Sequence, residues 1–82
     1  MNREYLIKKA NEIKSHGNKL GVEVTIPNQK ATELIINDTD SIDNKVEYYC
    51  KAYDENLIHI MNDKIKIVNI LEVIGLDIKE GN

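Results

Sequence analysis

A chain of 82 residues, 41% hydrophobic and 30% charged, has the composition of one ordinary globular unit spanning 1–82, with no room for a second core or an elaborate active site. A net charge of −3 weighs against a general nucleic-acid binder, and no window reaches the roughly 18 apolar residues of a membrane span. Trp and Phe are absent, so Ile, Leu, Val and Tyr must build the core; a lone Cys50 and an N-terminus without a signal pattern imply a reducing, cytoplasmic setting.

The first predicted element is a helix. Asn2 suits its N-cap, Leu6, Ile7, Ala10 and Ile13 fall on one stripe, and Gly17 is placed to close it in a left-handed conformation. After a connection over 17–21, Val22, Val24 and Ile26 alternate with Glu23 and Thr25, which predicts a strand with one dry face. Pro27 and Asn28 turn the chain. The run Leu34-Ile35-Ile36 within 32–37 predicts a second strand, paired antiparallel with the first and buried on most sides.

Residues 37–41 are rich in side chains that bond their own backbone, so they read as a loop with a helix cap at Asp40 or Ser41. Ile42, Val46, Tyr49, Cys50, Tyr53 and Leu57 then recur at helical spacing over 42–57, although alternation of Val46, Tyr48, Cys50 and Ala52 also fits a strand; the longer repeat favours helix. Downstream, 57–61 and 64–68 flank Asn62-Asp63 as a hairpin in which Ile60 faces Ile65, Ile58 faces Ile67 and His59 faces Lys66. Residues 70–76 extend a strand or form a short edge strand, and 79–82 fray. The expected fold is α+β, in the order α-β-β-α-β-β, with an antiparallel sheet of about four strands covered on one face by two helices.

Chemistry-bearing motifs are sparse. Asp38, Asp40 and Asp43 have the spacing that opens a calcium loop, but the fifth position is Ile42, the sixth is Asp43 where glycine is needed, and the twelfth is Tyr49 instead of Glu. A capping role fits them better, and no metal or cofactor is expected. Cys50 on an amphipathic stripe reads as a small buried hydrophobe, and His59 on a wet strand face as a surface residue. No glycine-rich oxyanion turn or third orienting group accompanies them, so no catalytic residue is assigned and the chain is read as a non-enzyme.

Charge is unevenly spread. Residues 1–20 carry five basic and two acidic residues (+3), and the rest carries six basic and twelve acidic (−6), concentrated between Glu33 and Asp63. The expected interaction surface is Asp38, Asp40, Asp43, Glu47, Asp54 and Glu55 with Tyr48 as its exposed aromatic, docking onto a basic groove of another protein. An alternative uses Arg3, Lys8, Lys9, Lys14 and Lys19 on and just after the first helix to track nucleic acid. A third makes the chain a homo-oligomeric module, with opposite ends or edge strands meeting.

In size, acidity and mixed α/β pattern the chain resembles the small accessory proteins of phages and mobile elements, including the anti-CRISPR inhibitors that occupy nucleic-acid grooves of host effectors. The likeness is one of general character and not of a motif. It implies an inhibitor or regulator acting by binding, in keeping with an Ile-, Lys- and Asn-rich composition of the kind A/T-rich coding produces.

Overall fold

The computed structural model of the chain describes residues 1–74 and contains α1 (Arg3–Ser15), β1 (Lys19–Thr25), β2 (Thr32–Asn37), a 3₁₀ turn (Thr39–Ser41), α2 (Ile42–Ala52) and β3 (Ile67–Val73). The α+β class and the antiparallel sheet agree with the sequence; the strands number three among the described residues, in the spatial order β2-β1-β3. Lys79–Asn82, expected to fray, and the end of the segment 70–76 lie outside the described residues.

α1 begins where Asn2 Oδ1 accepts the Tyr5 N–H at 2.9 Å, filling one of the four donors that a helix start leaves open. It buries Leu6, Ala10 and Ile13, one stripe at spacings of four and three. Ile7, expected on that stripe, lies at its border and is exposed. Gly17 adopts φ 71°. The Gly17 N–H bonds Lys14 O at 2.9 Å and the Asn18 N–H bonds Ile13 O at 3.2 Å, the paired closure that turns the chain sharply off the helix end.

That sharp exit delivers the chain straight into β1, which starts at Lys19 and not at Val22. The glycine at 21 reads as a loop residue but sits in the middle of the central strand. Leu20, Val22 and Val24 face the helices and are buried, and their cross-strand neighbours Ile35, Ile70 and Ile67 join the same core. Pro27, then Asn28 at φ 64° with Gln29 N–H on Ile26 O at 3.1 Å, give the Pro-Asn turn that reverses the chain into β2.

β2 departs from expectation. It is an edge strand with only one face against the core, so Ile35 is packed while Leu34 and Ile36 remain 46% and 51% exposed. Its last residue, Asn37, is deeply buried; its Nδ2 donates to Leu20 O at 3.2 Å and to the Tyr49 hydroxyl at 3.3 Å. Ser41 precedes α2 but bonds no backbone N–H through its side chain; the 3₁₀ turn, closed by Ser41 N–H on Asp38 O at 2.8 Å, leads into the helix instead.

Residues 42–52 are helical, as the longer repeat favours, but α2 stops at Ala52, and Tyr53 is extended. The predicted hairpin of 57–61 with 64–68 does not form as a ladder. Its turn is present, with Ile65 N–H on Asn62 O at 3.0 Å, but the pairing is offset by one residue, Ile58 opposing Lys66. The first arm instead folds back on the end of α2, with Ile60 N–H on Ala52 O at 2.9 Å and Tyr53 bridging His59. Ile60 and Met61 are left pointing outward. The second arm continues through Ile70 as β3 and pairs with β1, because the central strand offers a full edge of donors and acceptors where 57–61 meets this arm in one isolated bridge.

Replacing Asn37 by Ala removes the buried side-chain donor that the Leu20 carbonyl and the Tyr49 hydroxyl share. Urea unfolding is expected to show a loss of about 1–3 kcal/mol, whereas Gly17→Ala, at an exposed turn, loses about 1 kcal/mol through its left-handed backbone alone.

Candidate functional surface

The acidic residues singled out from sequence are dispersed among structural tasks. Asp38 Oδ1 takes Lys19 Nζ at 2.6 Å, Asp43 Oδ2 takes Lys14 Nζ at 2.6 Å, and Glu47 pairs with Lys51 one helical turn on at 3.5 Å. Asp54 Oδ1 accepts the N–H groups of Asn56 and Ile58 at 2.8 and 3.0 Å, which ties the turn after α2. Asp40 and Glu55 are exposed, with no side-chain partner among the described residues. Tyr48 projects from α2 and is 52% exposed, with its ring edge-on to Tyr49 at 5.5 Å and beneath Lys45 Nζ at 5.5 Å. Tyr49 and Tyr53 are buried.

Folding therefore softens the charge division along the chain. The end of α1 and the start of β1 lie beside the segment that leads into α2, and two lysines of the basic stretch reach two of its aspartates. The other basic candidates are divided as well. Arg3 is half-buried, its N–H on Glu55 O and its guanidinium on Tyr53 O, both at 2.9 Å, and its buried Nε has no acceptor among the described residues. Lys9 pairs with Glu12 at 3.8 Å, which leaves Lys8 as the exposed cation of this set without a partner among the described residues.

Cys50 and His59 share no hydrogen bond. Cys50 is partly buried on α2, and His59 stands edge-on to Tyr53 at 5.0 Å, with Nδ1 accepting the Met61 N–H at 3.1 Å. Among the described residues, no three His, Cys, Asp or Glu side chains converge as metal ligands. Burial pushes the Tyr49 phenol up against the opposing pull of its Asn37 bond, and burial likewise raises Tyr53; both remain protonated at neutral pH. No helix among the described residues is long and apolar enough to cross a membrane.

The surface that sequence reading misses is the helix-free face of the sheet. Strand alternation sends Lys19, Gly21, Glu23 and Thr25 of β1 to that side, with Leu34 and Ile36 from β2 and Asn69, Leu71 and Val73 from β3. Gly21 opposes Ile36 on one side and Leu71 on the other. A methyl placed on Gly21 would lie 3.1 Å from Val73 Cγ2, 3.4 Å from Leu34 Cδ1 and 3.4 Å from Leu71 Cβ, so these side chains close over the strand backbone and join Ile36 in one aliphatic patch. Glu23, bonded by the Thr32 hydroxyl, and Asn69 border it. The clue in the sequence is an apolar run next to a strand with a central glycine, a combination that reads as burial until the edge position of β2 is known.

On the opposite face, Glu72 Oε2 receives Asn18 Nδ2 at 2.6 Å and His16 Nδ1 at 2.8 Å. The Asn18 bond, then the His16 bond, hold this carboxyl below its ordinary value. Comparison with protein-family models, curated proteins and solved structures finds no match to this chain.

Because the folded value of Glu72 is depressed, its contribution to stability is complete above the ordinary carboxylate range and disappears as pH falls through the depressed value. The urea midpoints of the native chain and Glu72→Ala should differ more above about pH 5 than below it, and should converge as pH falls through the depressed value. The exposed Lys14 and Asp43 pair is expected to show a coupling below about 1 kcal/mol in a double-mutant cycle, since solvent screens it.

Proposed function

We propose that the chain is a non-enzymatic protein-binding module and that the helix-free face of its sheet is the surface that binds. The observation carrying this reading is the half-exposed pair Leu34 and Ile36, contiguous with Leu71 and Val73 over Gly21. Adjoining aliphatic side chains held in water on a rigid sheet forgo a free energy that contact with a second protein surface recovers, at about 25 cal/mol for each Å² covered. Polar neighbours border the patch, giving it the apolar centre and wet rim of a protein interface.

The acidic residues take a second role in this reading. Asp38, Asp43 and Glu47 already hold lysines, so attraction to a basic groove falls to Asp40 and Glu55, with Tyr48 as a flanking anchor. Such charges speed encounter more than they add affinity. An inhibitor or regulator of a host protein, of the kind small phage accessory proteins supply, needs an adhesive face of this sort and no bond-breaking chemistry.

Site-specific photo-crosslinking tests the assignment. A benzophenone side chain placed at position 36, at position 40 or at position 48 is irradiated in a lysate of a bacterium with A/T-rich coding. Position 36 is expected to give a discrete adduct that excess native chain competes away and excess Leu34→Glu/Ile36→Glu chain does not. Adducts confined to 40 and 48 would move the binding surface to the acidic side, and none at any position would overturn the reading.

A further inference from the structure

We propose that, when no other protein covers it, the helix-free face takes a second copy of this chain, packed sheet on sheet about a two-fold axis that lies between the sheets and passes over Gly21. This rests on the reading of that face as a docking surface and adds self-association to it. Its basis is the placement of charge on β1. Lys19 and Glu23 point to the same side of the sheet, two residues before and two residues after Gly21, each about 7 Å from it along the strand.

An axis lying between the two sheets and perpendicular to the strands runs the central strands antiparallel across the interface. Lys19 of one copy then lies over Glu23 of the other, and the pairing occurs twice. Each Glu23 joins the ion pair that Lys19 makes with Asp38 in its own copy. An axis parallel to the strands would set Lys19 over Lys19 and Glu23 over Glu23, which opposes like charges, so the charge pattern selects the first arrangement.

The same axis completes the apolar centre. Ile36 and Leu71 flank Gly21 in register on either side, so each meets its own counterpart across the interface, with Leu34 and Val73 leaning in over the glycines. Since residue 21 lacks a side chain, Leu34, Leu71 and Val73 close over the strand there and present a continuous aliphatic surface to the other copy. Three strands about 4.8 Å apart and about 20 Å long offer a footprint on the order of 300 Å² per copy, below the roughly 800 Å² of a standard interface. The association is accordingly a weak and dissociable one.

Sedimentation equilibrium on the native chain from about 10 μM to about 1 mM provides the test. The weight-average mass should climb from monomer towards dimer. Leu34→Glu/Ile36→Glu should stay monomeric throughout, while far-UV circular dichroism and urea midpoints establish that it is folded. Lys19→Glu alone and Glu23→Lys alone should each weaken self-association at least tenfold. An equimolar mixture of the two should recover it, because in the mixed dimer both facing pairs of positions 19 and 23 again join a carboxylate to an ammonium group. Recovery in the mixture cannot come from a folding defect, since the same two proteins are present in it.

A native chain that remains monomeric at about 1 mM, or a dimer indifferent to charge exchange in the mixture, overturns the proposal. The two readings separate cleanly. A monomer that still gives the position-36 adduct with a different protein keeps the docking face and loses the second copy, and a dimer unaffected by Leu34→Glu/Ile36→Glu places self-association elsewhere.

Discussion

Everything in this fold hangs on β1 being paired along both of its edges. Lys19 to Thr25 takes β2 on one side and β3 on the other, so strands distant in sequence close on one template. A backbone hydrogen bond adds only about 1 kcal/mol net, but a buried central strand with an unpaired edge would forfeit several at once. The sharp exit from α1 at Gly17 sets where that strand begins. The sheet in turn supplies the floor on which Leu6, Ile13, Tyr49 and Leu57 pack.

A core without Phe or Trp relies on the tyrosines of α2 for bulk. Tyr49 is almost wholly buried, and its hydroxyl meets Asn37 at the end of β2, which links the helix layer to the sheet edge by a polar contact. Tyr53 follows it with ring centroids 6.0 Å apart. Beyond the helix, Leu57 holds φ 63°, a conformation that disfavours a branched side chain by about 1 kcal/mol or more. Its complete burial and the Asp54 turn that precedes it hold the residue there.

One face of the sheet is thus spent on stability, and the other is left to contact solvent or a partner. The division follows from having three strands and two helices: both helices lie with the Leu20, Val22 and Val24 side, so the Gly21 side has no covering layer among the described residues. Ion pairs between the start of the chain and the segment entering α2 shrink the electrostatic contrast that the linear sequence suggests. The binding proposed for this chain accordingly relies more on shape and apolar contact than on net charge, and the proposed surface is an aliphatic one instead of an acidic one.

Local signals were legible from the residues alone wherever a short stretch carries its own instructions. The Asn2 cap, the Leu6, Ala10 and Ile13 stripe, the Gly17 closure, the Pro27-Asn28 turn and the helix beginning at Ile42 all follow from side-chain chemistry acting over a few positions. Pairing was not legible, because alternation tells which residues share a face and not which strand lies beside which, so the ladder partner of β1 is Ile67–Val73 while 57–61 meets 64–68 only in an isolated bridge. The candidate surface suffered the same ambiguity: an apolar run such as Leu34-Ile35-Ile36 looks alike in a central strand and an edge strand, and only the assembled sheet, by leaving β2 at its margin, decided that two of those three side chains face outward.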